Sequence, residues 1–295
     1  MCVCTCKPAY SSSLTDAEWA LVASLLPAHD PHAGGRPLKH DRRLVLDSIL
    51  YVLVSGCAWR LLPHDLVPWD AAYRWFRTWS ADGTWDRVHD ALRDRVRAAD
   101  GRAAQPTAAV LDAQSIKSSE GGAAIGYDAG KRVRGRKRHL LVDTTGLLLA
   151  VMVTTASLQD RPGGRRLLTA ARPRYPQLGK VWADGGYANV VDTSLVRHAR
   201  DELGLDLEIV RRCDDVRGFQ VLPRRWVVER SFGWLTRSRR LARDYERKTE
   251  HAEAMIKVAM IRLMAARLTG RHIEPQGPIE TEAARRLADD LDSDK

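Results

Sequence analysis

The sequence predicts an α/β fold in which an all-helical segment precedes a mixed sheet. Three observations carry this prediction. Apolar residues recur at helical spacing through the first hundred residues, short apolar runs typical of buried strands begin near residue 108, and helical and strand patterns then alternate to about residue 268. We therefore expect a helical domain at 14–100, an α/β domain at 106–268, and disorder at 1–13 and in the acidic tail 275–295.

The first domain shows signals for four helices. Thr15 and Glu18 form a capping-box pattern that opens the first helix. The second runs from about residue 41 to 55, the third carries an apolar stripe from Ala72 to Trp79, and the fourth runs from about 85 to 99. Six of the nine tryptophans lie in this segment, and we interpret them as core residues rather than as a platform for base stacking.

The second domain begins with short strands. The apolar run 108–112 ends in a carboxylate, and 139–143 and 147–153 read as a hairpin of two buried strands. Further strands are predicted at 180–184 and 207–210, and helices at about 161–171, 190–203 and 224–247, with one more after residue 250. An antiparallel hairpin joined to alternating strands and helices is the layout of ribonuclease-H-like folds, so we predict such a core.

The composition excludes several protein classes. The 295 residues are 44% hydrophobic and 28% charged, which fits a globular protein and excludes a disordered tail or a disulfide-stapled miniprotein. The net charge of +10 indicates a polyanionic partner, either nucleic acid or an anionic membrane surface. The longest apolar run, Leu147–Val153, is too short for a spanning helix, the N-terminus lacks a signal-peptide pattern, and the five cysteines lack zinc-site spacing. We expect a cytoplasmic, nucleoid-associated protein with no membrane partner.

Three carboxylates occupy positions where catalytic groups are common. Asp112 ends the first predicted strand, Asp184 ends the fourth, and Glu229 lies early in the long helix. Each has a structural alternative: a turn cap for the first, a turn residue before two glycines for the second, and pairing with Arg225 or Arg230 for the third. Seven arginines and a single acid between residues 224 and 243 favour a phosphodiester site, because arginines bind phosphate and carboxylates bind divalent metal.

A second basic cluster, Lys131–Arg138, has six positive charges in eight residues and leads into the strand predicted beside Asp112. Its alternative interpretation is a solvated loop. Hard oxygen ligands without a His or Cys set favour Mg²⁺ or Mn²⁺ over zinc. The candidate phosphate contacts are Arg225, Arg237 and Arg240 in the long helix, Arg136, Lys137 and Arg138 in the cluster, and Lys39, Arg42 and Arg43 in the helical domain.

These residues lie within a set of stretches that is specific in its order and combination. The set is Leu14–Trp19, Gly34–Pro37, Trp59–Pro63, Tyr73–Phe76, Val110–Lys117, Gly135–His139, Ala183–Tyr187 and Arg225–Leu235. Through them the chain, from residue 14 to about 268, resembles the bacterial insertion-sequence transposases with a D-D-E catalytic core. The resemblance is to the insertion-sequence-five group of the insertion-sequence-four superfamily.

The resemblance implies a function and a site. The family's three catalytic acids fall on Asp112, Asp184 and Glu229, which would hold two Mg²⁺ or Mn²⁺ ions over a ribonuclease-H-like fold. The partner would be double-stranded DNA, at the terminal inverted repeats and at the target, with a homodimer on the DNA ends. The family also has a Tyr-Arg-Glu-Lys signature, of which Arg225 and Glu229 are present, while Leu222 and Thr236 replace the Tyr and the Lys. Arg237 or Arg240 would then supply the missing phosphate contact.

Two rival functions remain at this stage. A nuclease of the same fold would cleave DNA without joining it, and a strand-transfer assay separates the two. A non-catalytic regulator or domesticated relic would bind DNA only. Such a relic need not retain three acids on the appropriate elements, and this chain has all three.

Overall fold

The computed structural model describes residues 10–27, 39–119, 122–188, 193–210 and 223–273, with the backbone alone at 223–225. Its first half contains the four predicted helices. They are α1 (Asp16–Ala23), α2 (Arg42–Ser55), α3 (Trp69–Ala81) and α4 (Thr84–Ala99). The capping box is confirmed: the Thr15 hydroxyl accepts from the Glu18 amide, and the Glu18 carboxylate accepts from the Thr15 amide at 2.8 Å.

The tryptophans of this half are mainly core residues. Trp79 and Trp85 are buried with their ring centroids 5.1 Å apart, and both belong to a large apolar cluster. Residues 10–13, which we expected to be disordered, are placed against the helices: Ser12 and Ser13 are buried and the Tyr10 hydroxyl donates to Asp65 at 2.8 Å. Residues 1–9 and the tail 274–295 lie outside the described residues.

One six-stranded mixed sheet forms the second half. Its strands are β1 (Ala108–Lys117), β2 (Gly126–Asp128), β3 (Val133–Asp143), β4 (Leu148–Thr155), β5 (Lys180–Asp184) and β6 (Asp206–Val210). β1, β5 and β6 are parallel, β3 runs antiparallel to β1, and β2 and β4 both pair with β3. The predicted hairpin and the mixed α/β class are therefore confirmed.

Helices cover both faces of the sheet. α5 (Asp160–Ala171) and α6 (Ser194–Asp201) pack over one apolar cluster, which includes Leu111 and Ala183. On the other face, α7 (Pro223–Thr236) and α8 (Thr249–Leu268) join a cluster that includes Val110 and Leu140. α8 also contacts α1 to α4, so the N-terminal helices and the sheet share one apolar core. Among the described residues, no helix has both the length and the apolarity to cross a membrane.

The long helix predicted at 224–247 is wrong in its second half. α7 ends at Thr236, Ser238 is extended, and a short 3₁₀ turn follows at Arg239–Leu241. Beyond it, the backbone carbonyls of Leu241, Glu246 and Arg247 accept hydrogen bonds from buried arginines of β3 instead of from helical amides. The arginine-rich run 224–243 therefore extends beyond the C-terminal end of α7, and the charge pattern gives no sign of this helix end.

Candidate active site

Strand register places Asp112 and Asp184 side by side. Leu111 pairs with Ala183 in the parallel ladder between β1 and β5, so the next residue on each strand is one of the two aspartates. Both side chains are half-buried. Asp184 ends β5 as predicted, whereas Asp112 lies inside β1, which continues to Lys117 beyond the end of its neighbour. The predicted end of the first strand at residue 112 is therefore wrong, although the two carboxylates still meet at one level of the sheet.

Both aspartates also have local hydrogen bonds. Asp184 Oδ1 accepts from the Gly186 amide at 2.9 Å and caps a 3₁₀ turn at Gly185–Tyr187, which is the turn role that the sequence left open. Asp112 Oδ1 accepts from the Ala113 amide at 2.7 Å. These bonds fix one oxygen of each carboxylate with respect to the backbone.

Glu229 is carried by α7, which packs against β1, β3 and β5. Ser231 donates to the Gly146 carbonyl at 2.7 Å and Arg230 to the Thr145 carbonyl at 2.9 Å, so the β3–β4 turn fastens the helix to the sheet. Gly146 has φ +85°, and a Cβ there would lie 2.9 Å from the Ser231 hydroxyl, which explains the glycine at this contact. Glu229 itself is exposed.

The buried face of α7 differs from the predicted one. A continuous helix over 224–247, as the sequence predicts, would place Val227, Trp234 and Leu241 on its core-facing stripe. The structure instead buries Val228, Ser231, Phe232 and Leu235, which also recur at helical spacing, and Leu241 lies beyond the helix. Trp234 is half-buried, with the guanidinium of Arg267 4.3 Å from its ring centroid.

A fourth carboxylate lies near this pair and was missed by the sequence analysis. Asp160 begins α5 and forms a 2.9 Å ion pair with Lys137 of β3. A Cβ on Gly186 would lie 3.1 Å from Asp184 Oδ1 and 3.5 Å from Asp160 Oδ2, so both carboxylates border one small space. An acid in the first turn of a helix after a strand was the available signal.

Tyr187 was also missed. Its side chain is fully buried, and its hydroxyl has no hydrogen-bond partner among the described residues. Burial raises the pKa of the Tyr187 hydroxyl well above its usual value, and the charges of Asp112, Asp160 and Asp184 raise it further. The phenol therefore stays protonated beside the carboxylates, as a potential donor to one of them.

The residues fit a divalent cation by donor chemistry. Asp112, Asp184 and Glu229 are hard oxygen donors of the type that Mg²⁺ and Mn²⁺ prefer, and the space beside Gly186 is lined by carboxylate oxygens. Within the described residues, however, no three His, Cys, Asp or Glu side chains are grouped closely enough to hold a metal ion. The structure therefore brings the two aspartates together, with the third acid on a helix packed over their strands.

Most predicted DNA contacts have other partners in the structure. Arg136 and Arg138 are fully buried in β3. Arg136 pairs with Asp244 at 3.1 Å, and Arg138 donates to the Leu241 carbonyl at 2.9 Å. Burial lowers the pKa of Arg138 to about 10, which still leaves it charged at neutral pH. Their predicted role as surface phosphate contacts is therefore wrong, because neither guanidinium reaches solvent.

The same correction applies to two further cations. Lys137 is buried and paired with Asp128 and Asp160 at 3.3 and 2.9 Å. Arg240 is buried, pairs with Glu246 at 2.8 Å and donates to the Cys57 carbonyl at 3.1 Å. It lies beyond the end of α7, so it does not share a helical face with Glu229.

The remaining predicted contacts are more accessible. Lys39 is exposed and Arg237 is half-buried. Arg42 donates to the Pro27 carbonyl at 2.6 Å, and Arg43 pairs with Asp16 at 2.6 Å, so both have intramolecular partners near the surface. The side chain of Arg225, and all of Leu222, lie outside the described residues.

Comparison with known proteins identifies the family. The family model described as "Transposase DDE domain" matches residues 103–264, which is more than half of the chain. The chain belongs to the DDE transposase family. A second model, "Putative transposase of IS4/5 family (DUF4096)", matches residues 14–89, so the N-terminal helices also have the pattern of this group.

Two relatives of this transposase come from Burkholderia cepacia. The "Insertion element IS402 uncharacterized 16.2 kDa protein" is 34% identical over 117 residues, covering 38% of this chain and 78% of the relative. The "Putative transposase for insertion sequence element IS402" is 31% identical over 131 residues, or 42% of this chain, and the match spans 60% of that relative's length. No solved structure matches the chain.

Proposed function

We propose that this transposase binds the terminal inverted repeats of its insertion sequence and catalyses metal-dependent strand cleavage followed by strand transfer. Asp112, Asp184 and Glu229 would hold two Mg²⁺ or Mn²⁺ ions on a ribonuclease-H-like core. When bound, such ions activate the attacking oxygen and stabilise charge on the leaving one. In the first step, a water oxygen bonds to phosphorus, the P–O3′ bond breaks and the 3′ oxygen takes a proton. In the second, that 3′-hydroxyl attacks the target phosphodiester and displaces another 3′ oxygen.

The observation that carries the proposal is the strand register, which sets Asp112 and Asp184 side by side on adjacent parallel strands beneath the helix that carries Glu229. The order β4-β3-β1-β5-β6 within the sheet, with the hairpin antiparallel and the rest parallel, supports the ribonuclease-H-like assignment. Exposure of Lys39 supports a contribution of the helical domain to DNA contact. We also propose that a homodimer assembles on paired DNA ends.

The test is Glu229→Gln. The amide keeps the volume and the helix propensity of the side chain, and the position is exposed, so folding should be unchanged. An amide is a much weaker partner for a hard divalent ion, so nicking of an inverted-repeat duplex should be lost. Loss of one negative charge near DNA should leave binding intact or slightly tighter.

The matched control is Glu250→Gln, which removes the same charge from an exposed glutamate in the first turn of α8. It should retain both binding and nicking. Near wild-type nicking by Glu229→Gln would remove this residue from the active site. Binding without nicking by the wild-type chain would favour a non-catalytic regulator, and nicking without joining in a donor–target assay would favour a nuclease.

A further inference from the structure

A basic groove of about 680 Å³ opens beyond the catalytic carboxylates, where β1 and β3 meet the segment after α7. Four cations line it, all of them exposed: Lys117, Arg132, Arg134 and Arg243. No described carboxylate lines the groove or forms an ion pair with any of the four. Tyr127, 56% exposed, and the hydroxyls of Ser118 and Ser119 complete the lining.

Buried residues fix the shape of this groove. The Asp244 amide donates to the Lys117 carbonyl at 2.9 Å, and the Ser119 amide donates to the Asp244 carbonyl at 2.8 Å, so Arg243 is held beside the end of β1. From below, Arg136 binds the Glu246 and Arg247 carbonyls at 2.8 and 2.9 Å. The buried guanidinium of Arg136 therefore holds the backbone of the segment that carries the exposed Arg243.

The groove lies at a definite distance from the predicted cleavage site. Lys117 is five residues beyond Asp112 on the same strand, and a strand rises about 3.4 Å per residue, which separates the two Cα atoms by about 17 Å. The rise along the axis of a DNA duplex is also about 3.4 Å per base pair, so for a duplex lying along β1 this distance corresponds to about five base pairs. Because five base pairs are about half a helical turn, the phosphate that faces the groove at that level need not belong to the cleaved strand.

We propose that this groove binds the DNA backbone about five base pairs along the duplex from the phosphodiester bond that is cleaved at Asp112 and Asp184. The four cations neutralise successive phosphates, and the hydroxyls donate hydrogen bonds to phosphate oxygens. Because the ligand is a polyanion, cations spread along an open groove suit it better than a converging pocket would. This assignment rests on the proposed function and replaces the buried arginines of β3 as the DNA contacts of this region.

The test variant is the triple substitution Lys117→Ala, Arg134→Ala and Arg243→Ala in the full chain. Its control is Arg165→Ala, Arg197→Ala and Arg200→Ala, which removes the same three charges from the exposed surface of α5 and α6. The probe is a duplex made from the DNA that flanks the coding sequence. Affinity is measured as a function of salt. Loss of three phosphate contacts should reduce the log–log salt slope by about 2.7, and should weaken binding by roughly 500-fold at 0.1 M salt.

A second arm tests the position. Neutral methylphosphonates are placed at single steps along the duplex, on each strand in turn. Those about five base pairs from the nicked bond, on the strand that faces the groove, should weaken binding by the wild-type chain and have no effect on the triple variant. A triple variant that matches its control, or a methylphosphonate effect that is the same in wild type and triple variant, would overturn the groove assignment.

The outcomes separate this inference from the proposed function. If the wild-type chain binds and nicks the duplex while the triple variant equals its control, only the groove assignment fails. If the wild-type chain binds no duplex at all, the proposed function fails with it. The unfolding midpoint of the triple variant should match that of the wild type. The single variant Arg243→Ala, measured against Arg197→Ala, repeats the binding comparison with one exposed substitution and settles it in the same way.

Discussion

Arg136→Ala should destabilise the fold rather than simply weaken DNA binding. The Arg136 side chain is fully buried, and its Nη1 lies 3.2 and 3.1 Å from the two carboxylate oxygens of Asp244, which is itself buried. The same guanidinium donates to the carbonyls of Ala123, Glu246 and Arg247. Alanine would leave the Asp244 charge without its cation and three carbonyls without this donor.

The magnitude follows from that arrangement. Removal of one partner of a buried ion pair costs about 3–5 kcal/mol, because the other charge remains buried. That is a large part of the roughly 5–15 kcal/mol that separates folded from unfolded states of most domains. For a chain of this size it corresponds to a fall in Tm of about 10 °C. The measurement is urea unfolding and thermal unfolding of the wild type and the variant.

Arg134→Ala is the matched control, because Arg134 precedes Arg136 by two residues on β3 yet is exposed. It should change the free energy of unfolding by at most about 0.5 kcal/mol while weakening DNA binding. The double variant with Asp244→Ala should recover part of the loss, since it removes the stranded charge. An unchanged Tm for Arg136→Ala together with a loss of DNA affinity would refute this reasoning and restore Arg136 as a surface contact.

Three further predictions concern the metal requirement of cleavage, the pH dependence of stability, and the contact between α7 and the β3–β4 turn. Cleavage should require Mg²⁺ or Mn²⁺, and Ca²⁺ should permit binding with poor chemistry; undiminished nicking in excess EDTA would contradict the carboxylate site. Burial raises the pKa of Asp47 from 3.8 to about 6, so the wild type loses stability as pH rises from about 4 to 6. Asp47→Asn should therefore gain up to roughly 3 kcal/mol relative to the wild type between pH 4 and pH 8 in urea unfolding, and a pH-independent difference would contradict this. Gly146→Ala should cost at least about 1–3 kcal/mol because it combines a positive φ with a 2.9 Å contact to the Ser231 hydroxyl, and it should reduce nicking more than binding.

Periodicity and capping signals were sufficient to predict most elements. The four N-terminal helices, the hairpin and the later strands have local patterns that do not depend on distant contacts, so they could be predicted. The extent of β1 and β3 could not, since both continue into polar sequence whose strand conformation is fixed by pairing: Lys117 with Gly135, and Ile116 with Arg136. The position of Asp112 inside a strand rather than at its end follows from this.

The basic cluster shows most clearly where sequence reasoning fails. Arg132, Arg134, Arg136 and Arg138 alternate with other residues, a period of two that is itself a strand signal. By charge alone the four arginines are equivalent, yet Arg132 and Arg134 are exposed and Arg136 and Arg138 are buried. What distinguishes them is the segment after α7, whose carbonyls and Asp244 lie more than a hundred residues away along the chain. No local pattern identifies such a partner.

The net charge is therefore weaker evidence for a DNA-binding surface than its size suggests. An excess of ten positive charges indicates a polyanionic partner, but Arg97, Arg136 and Arg240 are paired with buried acids and add little to the field at the surface. Buried arginines instead hold in place the segment after α7, which carries the exposed Arg243. Arg136 and Arg138 donate hydrogen bonds to backbone carbonyls of this segment, and Arg240 pairs with its Glu246. The surface that we propose to bind DNA would then be a consequence of buried electrostatics. Substituting a buried arginine should affect binding only through the shape of the groove, and the comparison of Arg136 with Arg134 separates these two effects.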